Sequence, residues 1–298
     1  MNRTTINETV RVFGVGLFSA SPASIAITPS HPHGQSKPGI IFRCSDAFIP
    51  AHISNLSSTP VHPAFAQIKP RCTSIAHGQV NIATVEHILS ALAGLGVTDA
   101  VIEVQANSPH CEIPIMDGSA RDFVNAIQTV GLHTLEELIE PIKILEPICV
   151  EDNGSLITIE PADSPSYSYT LDYSDGSSAA PSPIESATVC WTGDPNDYID
   201  RIAPSRTFCL EHEANALTSA GMFEHLSAED MLVIGDAGPI NNEYRHKHEC
   251  ALHKLLDLIG DLSLVGYPLI AKVTAIKSGH ALAHSAAAAI VHQTDAQS

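Results

Sequence analysis

Apolar residues come in short runs through the early part of the chain and then switch to a spacing of three and four. The segments "TVRVFGVGLF", "SIAITPS", "GIIFRC" and "AHI" are separated by Pro, Gly, Ser and Asn clusters, the pattern of short strands between turns. In "TVEHILSALAGLG" the residues Val85, Ile88, Leu89 and Leu92 recur at helical spacing, Thr84 stands at the N-cap position, and Gly94 and Gly96 stop the run. A strand "DAVIEVQA", a turn at "MDGSA" and a helix "ARDFVNAIQTVG" follow. Several strands, then helix, strand and helix, predict one α+β unit over residues 1–137.

"LHTLEELIEPIK" reads as the connection to a second unit, residues 138–298. There "IKILEPICVED", "SLITIEP" and "YSYTLDY" are strands, and "SDGSSAAPSPIES" is a loop rich in Ser, Pro and Gly. Helices over 211–221 and 248–262, a strand "PLIAKVTAI" and an Ala-rich helix from about residue 281 complete it. No internal repeat is legible residue by residue, yet both halves run from strands to helices.

The helix "ECALHKLLDLIGDL", residues 249–262, crowds its ionisable side chains. At about 100° per residue, Asp257 falls about 40° round from His253, Asp261 about 80° and Lys254 about 100°. Leu252, Leu255, Leu256, Leu258, Ile259 and Leu262 fill the remaining arc and can face a core. Such a polar arc is most often a solvated face, with His253 and Asp257 making a minor i,i+4 contact. The same pair has the one-turn spacing with which a helix offers two ligands to a metal ion, and a catalytic zinc needs a third. Two places offer one: Glu86-His87 in the first turn of the "TVEHIL" helix, and His280, which opens the last helix after Gly279 in "KSGHALAH". A glutamate favoured by the helix dipole and a capping histidine account for these equally well on spacing alone. With 16 histidines in the chain, any single one carries little weight.

Composition narrows the classes. At 44% hydrophobic and 16% charged residues the chain reads as globular and soluble, and no apolar run approaches the roughly 18 residues of a membrane span. Fifteen Lys and Arg against 33 Asp and Glu give a net charge of −18, which repels a phosphate polymer and argues against nucleic acid as a partner. A phosphorylated substrate would need a few local cations. The seven cysteines (Cys44, Cys72, Cys111, Cys149, Cys190, Cys209 and Cys250) are odd in number and form no C-x-x-C pair, which favours a reducing compartment. The early "VFGVGLFSASPASIA" is short, interrupted by glycine and preceded by polar residues, so it reads as a strand and turn rather than a secretory leader. Cytoplasmic residence is the expectation.

Taken together, "GVGLFSA", "TVEHILSALAGLGVTDAVIEV", "EIPIMDGSARDFV", "RTF" at 206–208, "HKLLDLIGDL" and "KSGHAL" resemble the UDP-3-O-acyl-N-acetylglucosamine deacetylases, zinc amidases of lipid A biosynthesis. The motifs follow the family's order through nearly the whole chain. The resemblance implies an α+β fold of two similar layered α/β domains with the active site in the cleft between them. It implies zinc, with iron(II) as the alternative ion, held by His87, His253 and Asp257. Glu86 then looks like the general base toward water, Thr207 like the group that with the metal polarises the amide carbonyl, Lys254 like a stabiliser of the developing oxyanion, and His280, held cationic by Asp261, like a second stabiliser and the acid toward the leaving amine. Phe208 and Lys277 are the implied substrate-binding residues, Lys277 toward the diphosphate. Met222, Phe223 and Leu226 are candidates for an acyl passage. The implied partner is an acylated UDP-amino-sugar substrate, met by a monomer with at most peripheral membrane contact.

Two departures from the family pattern bear on acyl preference and turnover. Phe18 stands where the family commonly has histidine in "GVGLH", and the segment 209–242 after "RTF" differs in detail. Two other readings stay open at this level: a non-catalytic paralogue that binds a related nucleotide sugar, and a zinc amidohydrolase acting on a different acetamido sugar.

Overall fold

The structure is a computed structural model that describes residues 1–30, 39–105, 110–173, 182–228 and 231–296. Two five-stranded sheets carry it. The first comprises β1 (Val10–Val15), β2 (Pro22–Pro29), β3 (Ile40–Cys44), β4 (Ala47–Pro50) and β5 (Ala100–Val104), in the spatial order β1-β2-β5-β3-β4. The second comprises β6 (Ile148–Asp152), β7 (Ser155–Glu160), β8 (Ser166–Leu171), β9 (Ala187–Trp191) and β10 (Lys272–Ile276), in the order β6-β7-β10-β8-β9. In each sheet the strand that comes last in sequence inserts at the centre, antiparallel to one neighbour and parallel to the other. The parallel pairing demands a crossover, which a helix supplies.

Those helices repeat as well. In the first half α1 (Glu86–Gly94) precedes the central strand and α2 (Arg121–Val130) follows it. In the second, after α3 (Glu211–Ser219), α4 (Glu249–Leu262) precedes and α5 (His280–Asp295) follows. The repeat hidden in the residues is thus explicit in the topology. Along β8 the period of two turns Tyr167, Tyr169 and Leu171 inward, and α4 packs over β8 and β9. The other face of α4 meets α1, while α5 covers β6 and β7 and α2 covers β1.

Enclosure between a sheet and a helix explains why α4 is buried at every residue except Lys254. The solvated face allowed by its pattern is not what the helix has: its polar arc points inward. Other expectations change too. "LHTLEEL" is no simple connection but a strand, Leu132–Leu138, paired antiparallel with Asn2–Ile6. Six of its seven residues are exposed, so no apolar alternation marks it. "AHI" lies past the end of β4 and runs into a 3₁₀ turn, Ile53–Asn55. Thr84 is not the N-cap: it takes a left-handed backbone (φ 61°) and its hydroxyl donates to Glu112 Oε1 at 3.2 Å, so Val85 occupies that position. Two three-stranded sheets flank the site, Ser74–His77 with Val80–Ala83 and His110–Glu112, and Phe208–Leu210 with Leu232–Gly235 and Gly238–Pro239. Strands that short leave no readable period. Residues 174–181 of the Ser/Pro/Gly-rich loop lie outside those described. Among the described residues, no helix is long and apolar enough to cross a membrane.

Candidate active site

Two glycines bring the parts together. A Cβ at Gly260 would stand 2.1 Å from the Glu86 carbonyl oxygen, so α4 reaches the first turn of α1 only because residue 260 has no side chain. A Cβ at Gly118 (φ 79°), in the "MDGSA" turn, would stand 2.8 Å from the Thr207 methyl, and the Thr207 N–H donates to the Gly118 carbonyl at 2.7 Å. Thr207 and Phe208 are also held from behind. The buried Arg206 guanidinium donates to Glu249 at 2.8 and 3.1 Å, at the start of α4, which ties the "RTF" segment to the helix that carries His253.

His87, His253 and Asp257 converge. One ligand atom from each lies within 4.8 Å of the others, and all three residues are buried. Asp257 Oδ1 is 3.4 Å from His253 Nε2 and 3.6 Å from His87 Nε2. The edge of a tetrahedron of zinc–nitrogen and zinc–oxygen bonds is about 3.4 Å, so the spacing fits an ion at the centre. Two further observations support the fit. His253 Nδ1 lies 3.1 Å from the Ser205 carbonyl, which can only accept, so Nδ1 carries the hydrogen and Nε2 keeps its lone pair. Asp257 Oδ1 is buried and has no hydrogen-bond partner, whereas Oδ2 accepts from Lys254 Nζ at 2.6 Å. Burial pushes His253 down to about 3, which keeps it neutral as a ligand must be. It also works against the charges of Asp257 and Lys254, but the attraction within the cluster prevails. Asp257, ion-paired with Lys254, is held well below the usual carboxylate range, and Asp257 raises Lys254.

Beside the triad stand two further titratable groups. Glu86 Oε1 is 4.0 Å from His280 Nε2, and Oε2 accepts from the Thr73 N–H at 3.0 Å. Burial pushes Glu86 up to about 7, against the opposing pull of His280 and His87. Burial acts against the His280 charge, but Asp261, whose Oδ2 accepts from Nδ1 at 2.8 Å, raises it to about 9. One carboxyl is thereby poised to take a proton near neutrality, and one imidazolium to give one.

The triad, Lys254, Glu86 and His280 border a cavity of about 550 Å³. Glu86, His87, Thr207, Phe208, His253, Lys254, Asp257 and His280 line it, together with the apolar side chains of Phe65, Leu217, Phe223, Leu226, Met231 and Ile240. Phe18 is on that wall, packed against Phe65 and Phe223 with ring centroids 5.7 and 5.6 Å apart. The Phe18 and Ser19 N–H groups donate to the Glu112 carboxylate at 2.9 and 3.0 Å, which fixes the turn. Asp261 sits behind His280 rather than on the wall. Lys277 stands apart, exposed, with its ammonium on Asp172 Oδ2 at 2.9 Å, and Met222 is half-buried away from the lining. Thr73, His284, Glu112, Arg206, Glu249 and Gly260 were not singled out by sequence reasoning. Only Gly260 left a signal, as a glycine inside a helix, where it costs about 1 kcal/mol.

Fold and site define the class: two α/β halves of one topology close over three buried side chains that could hold a metal ion, beside a facing carboxyl and imidazole. The family model described as UDP-3-O-acyl N-acetylglycosamine deacetylase matches residues 3–292. The UDP-3-O-acyl-N-acetylglucosamine deacetylase of Leptospira biflexa serovar Patoc is 31% identical over 298 residues, spanning 98% of this chain and 91% of its own. That of Pseudomonas entomophila is 32% identical over 301 residues, spanning 99% and 92%. The chain belongs to the UDP-3-O-acyl N-acetylglycosamine deacetylase family and is a deacetylase, an amide hydrolase.

Proposed function

We infer that the buried triad, Glu86 and His280 divide this deacetylation among themselves. The substrate is UDP-3-O-acyl-N-acetylglucosamine, whose N-acetyl group leaves as acetate in lipid A biosynthesis. Neither a non-catalytic paralogue nor a different acetamido sugar is favoured by these relatives. The observation that carries the division of roles is the facing of Glu86 and His280 across 4.0 Å, beside three buried ligands.

His87, His253 and Asp257 hold the ion, zinc or iron(II), with zinc favoured by the two imidazoles and one carboxylate. When bound, it supplies Lewis-acid polarisation of the amide carbonyl and acidifies water at the site. Glu86 takes the proton of the attacking water on Oε1 as the carbon–oxygen bond forms, its Oε2 being fixed by Thr73. The Thr207 hydroxyl and the Lys254 ammonium face the developing oxyanion. His280 then gives its Nε2 proton to the amide nitrogen as the carbon–nitrogen bond breaks, with Asp261 holding Nδ1. Phe208 presents its ring to the sugar, and Lys277 lies toward the diphosphate once released from Asp172. The apolar side chains of the lining accept the acyl chain.

The enzyme acts as a monomer in the cytoplasm, with at most peripheral membrane contact; an odd number of cysteines with no C-x-x-C pair suits that compartment. The units divide at about residues 137 and 138, at the end of the strand Leu132–Leu138 that returns onto Asn2–Ile6. Metal content and acetate release, measured on the acylated and the unacylated nucleotide sugar, test the assignment. His253→Ala and Asp257→Ala should lose metal, and Glu86→Ala should keep it while kcat falls by about 10²-fold or more. Full activity in Glu86→Ala removes the base.

A further inference from the structure

Thr73 joins the base to the acid. It is wholly buried, immediately before the strand Ser74–His77. Its N–H donates to Glu86 Oε2 at 3.0 Å, and its Oγ1 donates to Asp261 Oδ1 at 2.5 Å. Asp261 Oδ2 in turn accepts from His280 Nδ1 at 2.8 Å. His284 Nε2 stands 2.7 Å from the same Thr73 Oγ1. An ionised carboxylate only accepts, so the single hydroxyl hydrogen is committed to Asp261, and His284 must carry a hydrogen on Nε2 and donate it. The direction of every bond in the chain is therefore fixed. His284 reaches this place because it follows His280 by one helical turn on the same side of α5.

On the reading that Glu86 is the base and His280 the acid, we propose that Thr73 is the positioning residue that keeps both in register, and that His284 orients its hydroxyl. The Thr73 amide occupies one Glu86 oxygen, which leaves Oε1 facing the cavity and His280. The Thr73 hydroxyl shares the charge of Asp261, so that this carboxylate grips the His280 proton less tightly than it otherwise would. The other ionisable groups around the chain are His87 on α1, Asp257 on α4 and Cys72 beside Thr73.

Thr73→Val removes the hydroxyl and keeps both the size and the backbone N–H. In the metal-loaded enzyme it should leave metal content unchanged, hold KM within about twofold and lower kcat about tenfold, the value of one hydrogen bond to a charged group. The basic limb of the pH–rate profile should move to higher pH, because an unshared Asp261 holds the His280 proton more firmly. General damage to the fold would not move that limb upward. Thr73→Ser should restore kcat and profile together, and His284→Leu, with Thr73 intact, should shift the profile the same way to a smaller extent. A Thr73→Val enzyme with the kcat and profile of the parent overturns the proposal, as does a loss that Thr73→Ser fails to rescue. His280→Ala is the companion measurement: if it leaves kcat unchanged, the acid assignment falls instead.

Discussion

Replacing Gly260 by alanine probes how the two halves assemble the site. The new methyl would lie 2.1 Å from the Glu86 carbonyl oxygen and 2.8 Å from its carbon, both backbone atoms that no rotamer can move. Carbon–oxygen contacts of this kind settle near 3.3 Å, so α4 and the first turn of α1 must part by about 1 Å. An alanine inside a helix gains about 1 kcal/mol over glycine, while overpacking costs about 1–3 kcal/mol. The net loss is up to about 2 kcal/mol, a fall in Tm of about 4–8 °C at most for a chain of this size. Activity should suffer more. Glu86 and His87 ride on α1 and His253 and Asp257 on α4, so the same separation pulls the base and one ligand away from the other two, and a misplacement of about 1 Å costs about 10²-fold in rate. The assay is acetate release with metal content and a thermal scan on the same preparation. Gly94→Ala, at the far end of α1 where a Cβ would meet the Tyr198 ring at 2.4 Å, is the control: it should lose stability and retain kcat. A Gly260→Ala enzyme with parental kcat and metal affinity refutes the argument.

Three further outcomes follow from the geometry. Activity should rise with pH as Glu86 loses its proton and fall as His280 loses its own, so the limbs lie near about 7 and about 9, the acidic one lowered further by a bound cation; kcat measured from pH 5 to 10 checks it, and a profile flat above pH 8, with chemistry limiting, removes His280 as the acid. Glu249→Ala leaves the buried Arg206 guanidinium without its counter-ion and should cost about 3–5 kcal/mol, read as a denaturant midpoint, because Arg206 is almost fully enclosed. Phe18→Ala removes two ring contacts, each worth about 0.5–1.5 kcal/mol, and widens the cavity where Phe18 lines it; KM over a series of acyl lengths should shift toward longer chains, and an unchanged preference would take Phe18 off the acyl wall.

What the residues made legible was the part of the site that lies in continuous helical segments. His253 and Asp257 share an arc because they are one turn apart, and Glu86 with His87 opens a helix whose apolar spacing is plain. The same period could not say whether that arc faced water or protein, since burial of α4 on all sides depends on β8, β9 and α1 packing around it. Thr73 was invisible for a different reason: it belongs to no periodic segment, and its partners Asp261 and His284 are 188 and 211 residues away. Phe18 was legible only as a missing histidine. Its positive contribution, one of three packed rings on a cavity wall, needs Phe65 and Phe223 to be brought to it.

The repeated topology also explains why neither half can form the site alone. A buried ion costs several kcal/mol unless it is paired and hydrogen-bonded, and here the partners lie across the seam between the halves. Asp261 on α4 takes the hydroxyl of Thr73, Asp257 on α4 faces His87 on α1, and His280 on α5 faces Glu86 on α1. Separated, each half would expose these groups to water and lose the environment that raises both Glu86 and His280. The close approach at Gly260 is therefore a packing contact on which the proposed site depends: the helices touch backbone to side-chain-free backbone, and that brings Glu86 and His87 up to His253 and Asp257. Substitutions on the seam should therefore change stability and rate together, while those at the outer ends of the same helices should change stability alone.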